Sequence, residues 1–299
     1  MIYIKLSKAA CTAALFLTAF IWGLAFVAQR LGADTMGPFT FNGIRFLVGA
    51  VSLIPIIYIL ERGPFTRADI KYTILAGMGG GLILFIASYL QQAGVTLTGS
   101  AGKSGFITGL YTVLVPVLGV FFGRKTSFLT WLGAISAVFG LYLLSVPDIR
   151  TVDIGDVVLF IGAFFWAGHI IFIDKFIQRI KIIRFSMIQA LTCGVLSLIC
   201  AFMFETVTPV AVTAGIIPIL YCGLLSTGVA YTLQSLGQKG VEPSKAAIIF
   251  SLETLFSALG GAILLGETMT LRGYAGCAFI FAGIIVSQIT LKKKDPAII

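Results

Sequence analysis

The chain has 299 residues, of which 58% are hydrophobic and only 11% charged, against about 25% charged in an ordinary soluble domain. A soluble core has no room for that much apolar surface, so lipid is the solvent for much of the chain. The net charge of +9 sits in short segments between long apolar runs, which excludes the basic face on a folded domain that a nucleic-acid partner requires.

A helix needs about 20 mostly apolar residues to cross the hydrocarbon core. The runs divide into ten such spans: 9–29, 38–60, 72–92, 99–122, 128–146, 157–174, 185–204, 216–237, 243–265 and 271–291. They consume nearly the whole chain and leave no room for a soluble catalytic domain. A β-barrel is excluded, because its apolar segments are about 10 residues long and alternate. The expected fold is therefore an all-α polytopic membrane protein.

The first span follows Lys5 and Lys8, as in a signal peptide. Its 21 uncharged residues exceed the 7–15 of a signal core, so it reads as a retained helix, and it carries Trp22. The second carries Arg45 near its expected outer end, where snorkelling or headgroup contact is the expected role. The third holds "GMGGGL" at 77–82, which fails the dinucleotide fingerprint because Leu82 replaces its last glycine, and ends in Tyr89, Gln91 and Gln92.

The fourth span opens on "GSAGKSGFITG", residues 99–109, which carries Gly102-Lys103-Ser104 as a phosphate loop would. The loop's first glycine would fall at Leu97, and the flanks are apolar spans instead of a strand and a soluble helix, so a nucleotide site is rejected. At 100° per residue, Ser100, Ser104, Thr108 and Tyr111 share one face, with Lys103 at its edge. Gly102, Gly105 and Gly109 share the other, where Gly105 and Gly109 form a G-x-x-x-G that allows close helix contact. The hydroxyl face should line a cavity or meet another helix.

The sixth span carries Trp166 and His169, with Asp174 and Lys175 at its inner end as an expected solvated pair. His169 is the only histidine, so it cannot build a metal site; it is a proton-carrier candidate, or a hydrogen-bonded group within the bundle. The eighth carries Tyr231 and Gln234. The ninth carries Lys245 near its start and Glu253 at mid-span. Charges at such depth point to function by default. Glu253 is positioned to take up a proton, bind a substrate amine or pair with a lysine. For Lys103 and Lys245 the alternatives are a cavity or gate, snorkelling, or a structural ion pair. Trp22 and Trp166 either stack on substrate or pack at helix crossings, and the two tyrosines suit interfacial anchoring as well as binding. Cys11, Cys193, Cys200, Cys222 and Cys277 form no C-x-x-C pair and read as packing residues, with no metal or cofactor implied.

With the N-terminus inside, fifteen basic residues fall on inner segments and three, Arg30, Arg150 and Arg272, on outer loops. By the positive-inside rule both termini are cytoplasmic. The halves also repeat. Tyr89, Gln92 and Lys103 recur at an offset of 142 as Tyr231, Gln234 and Lys245, and Trp22 parallels Trp166. Glu253 falls at the position of Tyr111. Five spans is an odd number, so the second copy enters the membrane inverted, and inverted repeats place a site at their interface.

The segments "AFIWGLAFVAQR" and "PFTFNGIRFLVGA" resemble the opening of an EamA domain. "SLETLFSALGGAILLGETMTLRGYAGCAFIFAGIIVS" resembles the end of one, including Gly266-Glu267. The resemblance to the drug/metabolite transporter superfamily covers two copies, 12–146 and 157–291. It implies ten helices in two inverted five-helix repeats and small-molecule transport, usually export. Two departures stand out: Glu253-Thr254 lies where the second copy usually has a proline, and Ala167 follows Trp166 where glycine is usual.

The leading expectation is thus a secondary exporter of a small organic metabolite, such as an amino acid or related amphiphile, in the cytoplasmic membrane. No nucleotide-binding domain is expected, and a proton is the candidate coupling ion. The substrate-binding candidates are Trp22, Tyr89, Gln92, Lys103, Ser104, Thr108, Tyr111, Trp166, His169, Tyr231, Gln234, Lys245 and Glu253. The alternative is an intramembrane enzyme acting on a lipid or lipid-linked substrate, for which only His169, Asp174 and Glu253 offer acid–base groups, with no spacing that links them.

Overall fold

The computed structural model describes residues 7–61, 66–99, 101–145, 153–265 and 270–289. Lys5, Arg62, Ser100, Arg150, the Gly266-Glu267 pair and Lys292 to Lys294, all used above, lie outside these residues. The described chain is all helix and turn. The first half holds α1 (Lys8–Ala33), α2 (Pro38–Leu60), α3 (Arg67–Thr98), α4 (Ala101–Gly109), α5 (Tyr111–Phe121) and α6 (Phe128–Ser145). The second holds α7 (Ile154–Phe176), α8 (Ile182–Phe204), α9 (Pro209–Ala214), α10 (Ile216–Leu220), a π-helical stretch (Tyr221–Ala230), α11 (Tyr231–Gln238), α12 (Pro243–Phe250), α13 (Leu252–Leu265) and α14 (Leu271–Gln288).

Among the described residues, eight helical stretches are long and apolar enough to cross a membrane, and Phe128–Leu143 is a shorter apolar helix. The expected fourth span is interrupted at Leu110 and the expected ninth at Ser251. The eighth runs through α10, the π stretch and α11 as one continuous rod.

Helix ends are set by local chemistry. Thr66 and Asp69 form a capping box at the start of α3, and α3 ends on Gly99 at φ 61°, a left-handed conformation that only glycine adopts without cost. At α7 the Asp156 carboxylate accepts from the Asp153 amide at 3.0 Å.

The outside of the bundle is oily, and the interior is an apolar core that also holds polar groups. Tyr58, Phe121, Phe202, Ile217 and Leu271 are exposed, whereas Asn42, Arg45, Gln92, His169 and Gln189 are buried. In water such a surface would aggregate; in lipid it is the ordinary arrangement, with polar groups hydrogen-bonding between helices.

Packing joins the two halves. The closest pairs include α6 with α14, α2 with α8, α3 with α7 and α8, and α1 with α13. The α2–α8 pair is capped reciprocally. Glu205, just after α8, accepts from the Phe39 and Thr40 amides at the start of α2, at 2.9 and 2.8 Å. Glu61, just after α2, accepts from the Ile183 and Arg184 amides at the start of α8, at 2.9 and 3.2 Å. A carboxylate here satisfies orphan N–H groups and complements the helix dipole.

Candidate functional site

The two interrupted spans lie against each other. Thr112 Oγ1 donates to the Ala247 carbonyl at 3.3 Å, and Thr254 Oγ1 donates to the Gly105 carbonyl at 3.1 Å. Gly105 and Gly109 both face Thr254, so the glycine face of α4 meets α13. Beside the two breaks, the Tyr111 hydroxyl donates to Glu253 Oε1 at 2.8 Å. Glu253 is 4% exposed and Tyr111 3%.

Gly23 brings α1 onto this crossing. A Cβ there would stand 2.6 Å from the Glu253 carbonyl oxygen and 2.4 Å from Phe256 Cβ. Only hydrogen fits, so the backbones touch and Trp22 is delivered beside Glu253. The Trp22 ring lies 5.0 Å from Tyr231, 5.3 Å from Phe250 and 6.5 Å from Trp166. Trp166 and Tyr231 are nearly parallel, 14° apart at 6.4 Å. Trp22 Nε1 donates to the Ser226 carbonyl at 3.3 Å, inside the π stretch; π segments are rare and recur at functional sites.

These groups enclose a central cavity of about 30 Å³. Trp22, Thr108, Tyr111, Trp166, Tyr231, Gln234 and Glu253 line it, as do Gln29, Arg45, Gln91 and Ser226. Five buried polar atoms on its wall have no protein partner among the described residues: Gln29 Oε1, Arg45 Nη2, Thr108 Oγ1, Trp166 Nε1 and Gln234 Oε1. Each such atom costs about 1–3 kcal/mol when nothing satisfies it.

Arg45 corrects its reading as an interfacial residue. It is 2% exposed, and Nε donates to Asn42 Oδ1 at 2.9 Å. Its guanidinium stands 4.7 Å from the centre of the Phe46 ring and 5.4 Å from that of Phe41. The arginine begins the third turn of α2, about 10 Å from the helix start at 1.5 Å per residue, and it points inward. No carboxylate pairs with it among the described residues.

The remaining candidates stand elsewhere. Gln92 Nε2 donates to the Gln29 carbonyl at 3.0 Å and ties α3 to α1. Its neighbour Gln91 is the one on the cavity. Tyr89 stacks on Phe39 at 4.1 Å. Ser104 bonds Thr98 at 2.9 Å. His169 is fully buried behind the aromatic cluster, bonded to Gln189 Oε1 at 3.0 Å and edge-on to Trp166 and Tyr231. Lys103 pairs with Asp156 at 2.8 Å and Asp153 at 3.3 Å. Lys245 lines a different cavity, with Lys8 and Lys125. Asp174 pairs with Arg124 at 2.6 Å and not with Lys175, whose ammonium lies over the Phe176 ring. The acid–base groups His169, Asp174 and Glu253 thus have three separate partners and do not converge.

Sequence reasoning missed Arg45, Gln29, Gln91 and Ser226. The available signal was a polar residue within an apolar run. Gln29 and Arg45 both satisfied it, and position near a span end hid them.

A helical bundle with an oily exterior and a small cavity of aromatic and polar residues at the meeting of its halves is the class of membrane-embedded solute-handling proteins. The chain belongs to the EamA-like transporter family, which it matches twice, over residues 9–146 and 153–288. An uncharacterized transporter of Archaeoglobus fulgidus is 29% identical over 91% of this chain and 83% of its own. The uncharacterized transporter YoaV of Bacillus subtilis is 24% identical over 92% and 95%. A probable amino-acid metabolite efflux pump of Salmonella typhimurium is 24% identical over 94% and 95%. A solved crystal structure superposes with a TM-score of 0.77 over 94% of this chain and 97% of its own, at 18% identity, a likeness of fold. The protein is a multi-pass membrane transporter.

Proposed function

We propose that this transporter is a secondary exporter of a small zwitterionic or amphiphilic metabolite, an amino acid or a close relative, working by alternating access in the cytoplasmic membrane. One observation carries the reading: a guanidinium, Arg45, and a carboxyl, Glu253, face the same small cavity among Trp22, Trp166 and Tyr231. The planar guanidinium suits a substrate carboxylate. The Glu253 carboxyl suits an amine, and the aromatic faces suit an apolar body or an ammonium. The Salmonella relative, a probable amino-acid metabolite efflux pump, agrees with this substrate class.

A cavity of about 30 Å³ is far below the roughly 300 Å³ or more of ordinary ligand sites. On this reading a cavity of that size is too small to hold the solute, and loading requires the halves to part. Ten spans in two inverted repeats, with both termini cytoplasmic, supply that motion. The meeting of Tyr111 with Glu253, matched positions of the two copies, supports the arrangement. So does the reciprocal capping by Glu61 and Glu205. On this reading Lys103–Asp156 closes the outer end and Arg124–Asp174 the inner, and each pair opens in turn. Glu253 exchanges its bond with Tyr111 for a substrate amine or a proton, which makes the proton the coupling ion.

The test is flux in proteoliposomes loaded with a metabolite pool, with product analysis alongside. Amino-acid-like compounds should leave faster than from empty liposomes, unconverted. Glu253→Gln should lower flux and flatten its pH dependence while the protein remains folded. Unchanged flux across pH 5–8 would remove Glu253 from the mechanism, and chemical conversion without movement would overturn the carrier reading.

A further inference from the structure

A second cavity, of about 450 Å³, opens where α1, α6 and α12 begin and α14 ends. Three lysines line it: Lys8 in the first turn of α1, Lys125 just before α6, and Lys245 in the first turn of α12. Lys245 is 8% exposed. No carboxylate stands within ion-pair distance of any of the three among the described residues. Glu242, the residue before α12, also lines the cavity and offsets one of the three charges.

A lysine that served only to mark the side of the membrane would sit in water. Lys245 does not, and its matched residue in the first copy, Lys103, is held by two aspartates. Two exposed lysines, Lys8 and Lys125, stand beside the buried Lys245; the like charges repel and Lys245 has lost hydration, and an anion removes both costs. The rim is apolar, with Phe128 78% exposed and Ile289 47% exposed. Basic pockets between membrane helices hold phosphate headgroups by this chemistry.

We propose that this cavity binds a phosphate group of net negative charge, uncompensated by a cation on the same headgroup, its oxygens held by Lys245 together with Lys125 and Lys8. The apolar rim favours a glycerophospholipid as the source, with acyl chains passing over Phe128 and Ile289. The site is separate from the central cavity, so the proposal stands or falls independently of the cargo.

Native mass spectrometry of the full-length protein in detergent tests it, with phosphatidylglycerol, phosphatidylcholine and glycerol 3-phosphate as probes. Phosphatidylglycerol should bind in preference to phosphatidylcholine. Lys245→Gln should weaken it about tenfold or more, the scale of one charge-assisted hydrogen bond. Lys125 is exposed, so Lys125→Gln tests the same point without disturbing a buried residue. Lys71→Gln, an equal charge change at an exposed position on α3, should have no effect. Glycerol 3-phosphate binding with the same lysine dependence, and without phosphatidylglycerol binding, would assign the phosphate to a solute. The proposal is overturned if neither probe binds better than phosphatidylcholine, or if Lys71→Gln weakens binding as much as Lys125→Gln does.

Discussion

Glu61 and Glu205 stand 144 residues apart and do the same thing at opposite ends of the α2–α8 pair. Each closes the first turn of the other helix through two backbone amides. Lys103 and Lys245 stand 142 apart and do different things. One is held by Asp153 and Asp156; the other lies in a basic cavity with no carboxylate in ion-pair range among the described residues. Arg45 and Gln189 differ in the same way, again 144 apart: the arginine lines the central cavity, whereas the glutamine binds His169 behind it. The helix caps are kept alike in both copies because both copies must pack. The aromatic wall is kept alike too, as Trp22 and Trp166, and the divergence falls on charged positions.

This contrast can be broken by experiment. The largest effect should come from Arg45→Gln, which makes the two copies alike at that position. Losing a charge-assisted contact to substrate costs about 1.5–3 kcal/mol, so flux of a carboxylate-bearing substrate should fall about 10- to 100-fold. Undiminished flux would place the asymmetry elsewhere. Next, Glu61→Ala and Glu205→Ala should each destabilise the protein by about 2 kcal/mol, measured by unfolding in mixed micelles. Their costs should be similar, and a severalfold difference would deny that the caps are equivalent. Gln189→Leu removes the His169 bond and should cost about 1 kcal/mol with little change in flux. The smallest effect belongs to Lys103→Gln. Its side chain is 29% exposed, so the loss should stay below about 1 kcal/mol and shrink as salt is added.

The α4 wheel made much of the centre legible: its glycines meet Thr254, and Thr108 and Tyr111 reach the cavity. Glu253 and Tyr111, aligned in the two copies, meet directly, whereas the residue pattern suggested a proton, an amine or a lysine as the partner of Glu253. Depth was not legible. Periodicity fixes which way a side chain points around its helix but not how far the helix is buried, so Arg45 was placed at the surface. Partners were not legible either. Lys103 finds Asp153 and Asp156 some 50 residues onward, and Asp174 prefers distant Arg124 to adjacent Lys175. The π stretch carries no periodic signature; packing against α1 and α2 defines it.

The aromatic wall of the central cavity has one further consequence. The chain has three tryptophans, and Trp22 and Trp166 both line that cavity, whereas Trp131 lies on α6 and does not. Two of the three natural fluorophores are therefore mounted on the cavity wall. Indole emission shifts with the polarity around the ring, so the proposed loading and emptying of this cavity should be visible as a change in emission of the unlabelled protein. Trp131→Phe would leave the signal with those two rings alone.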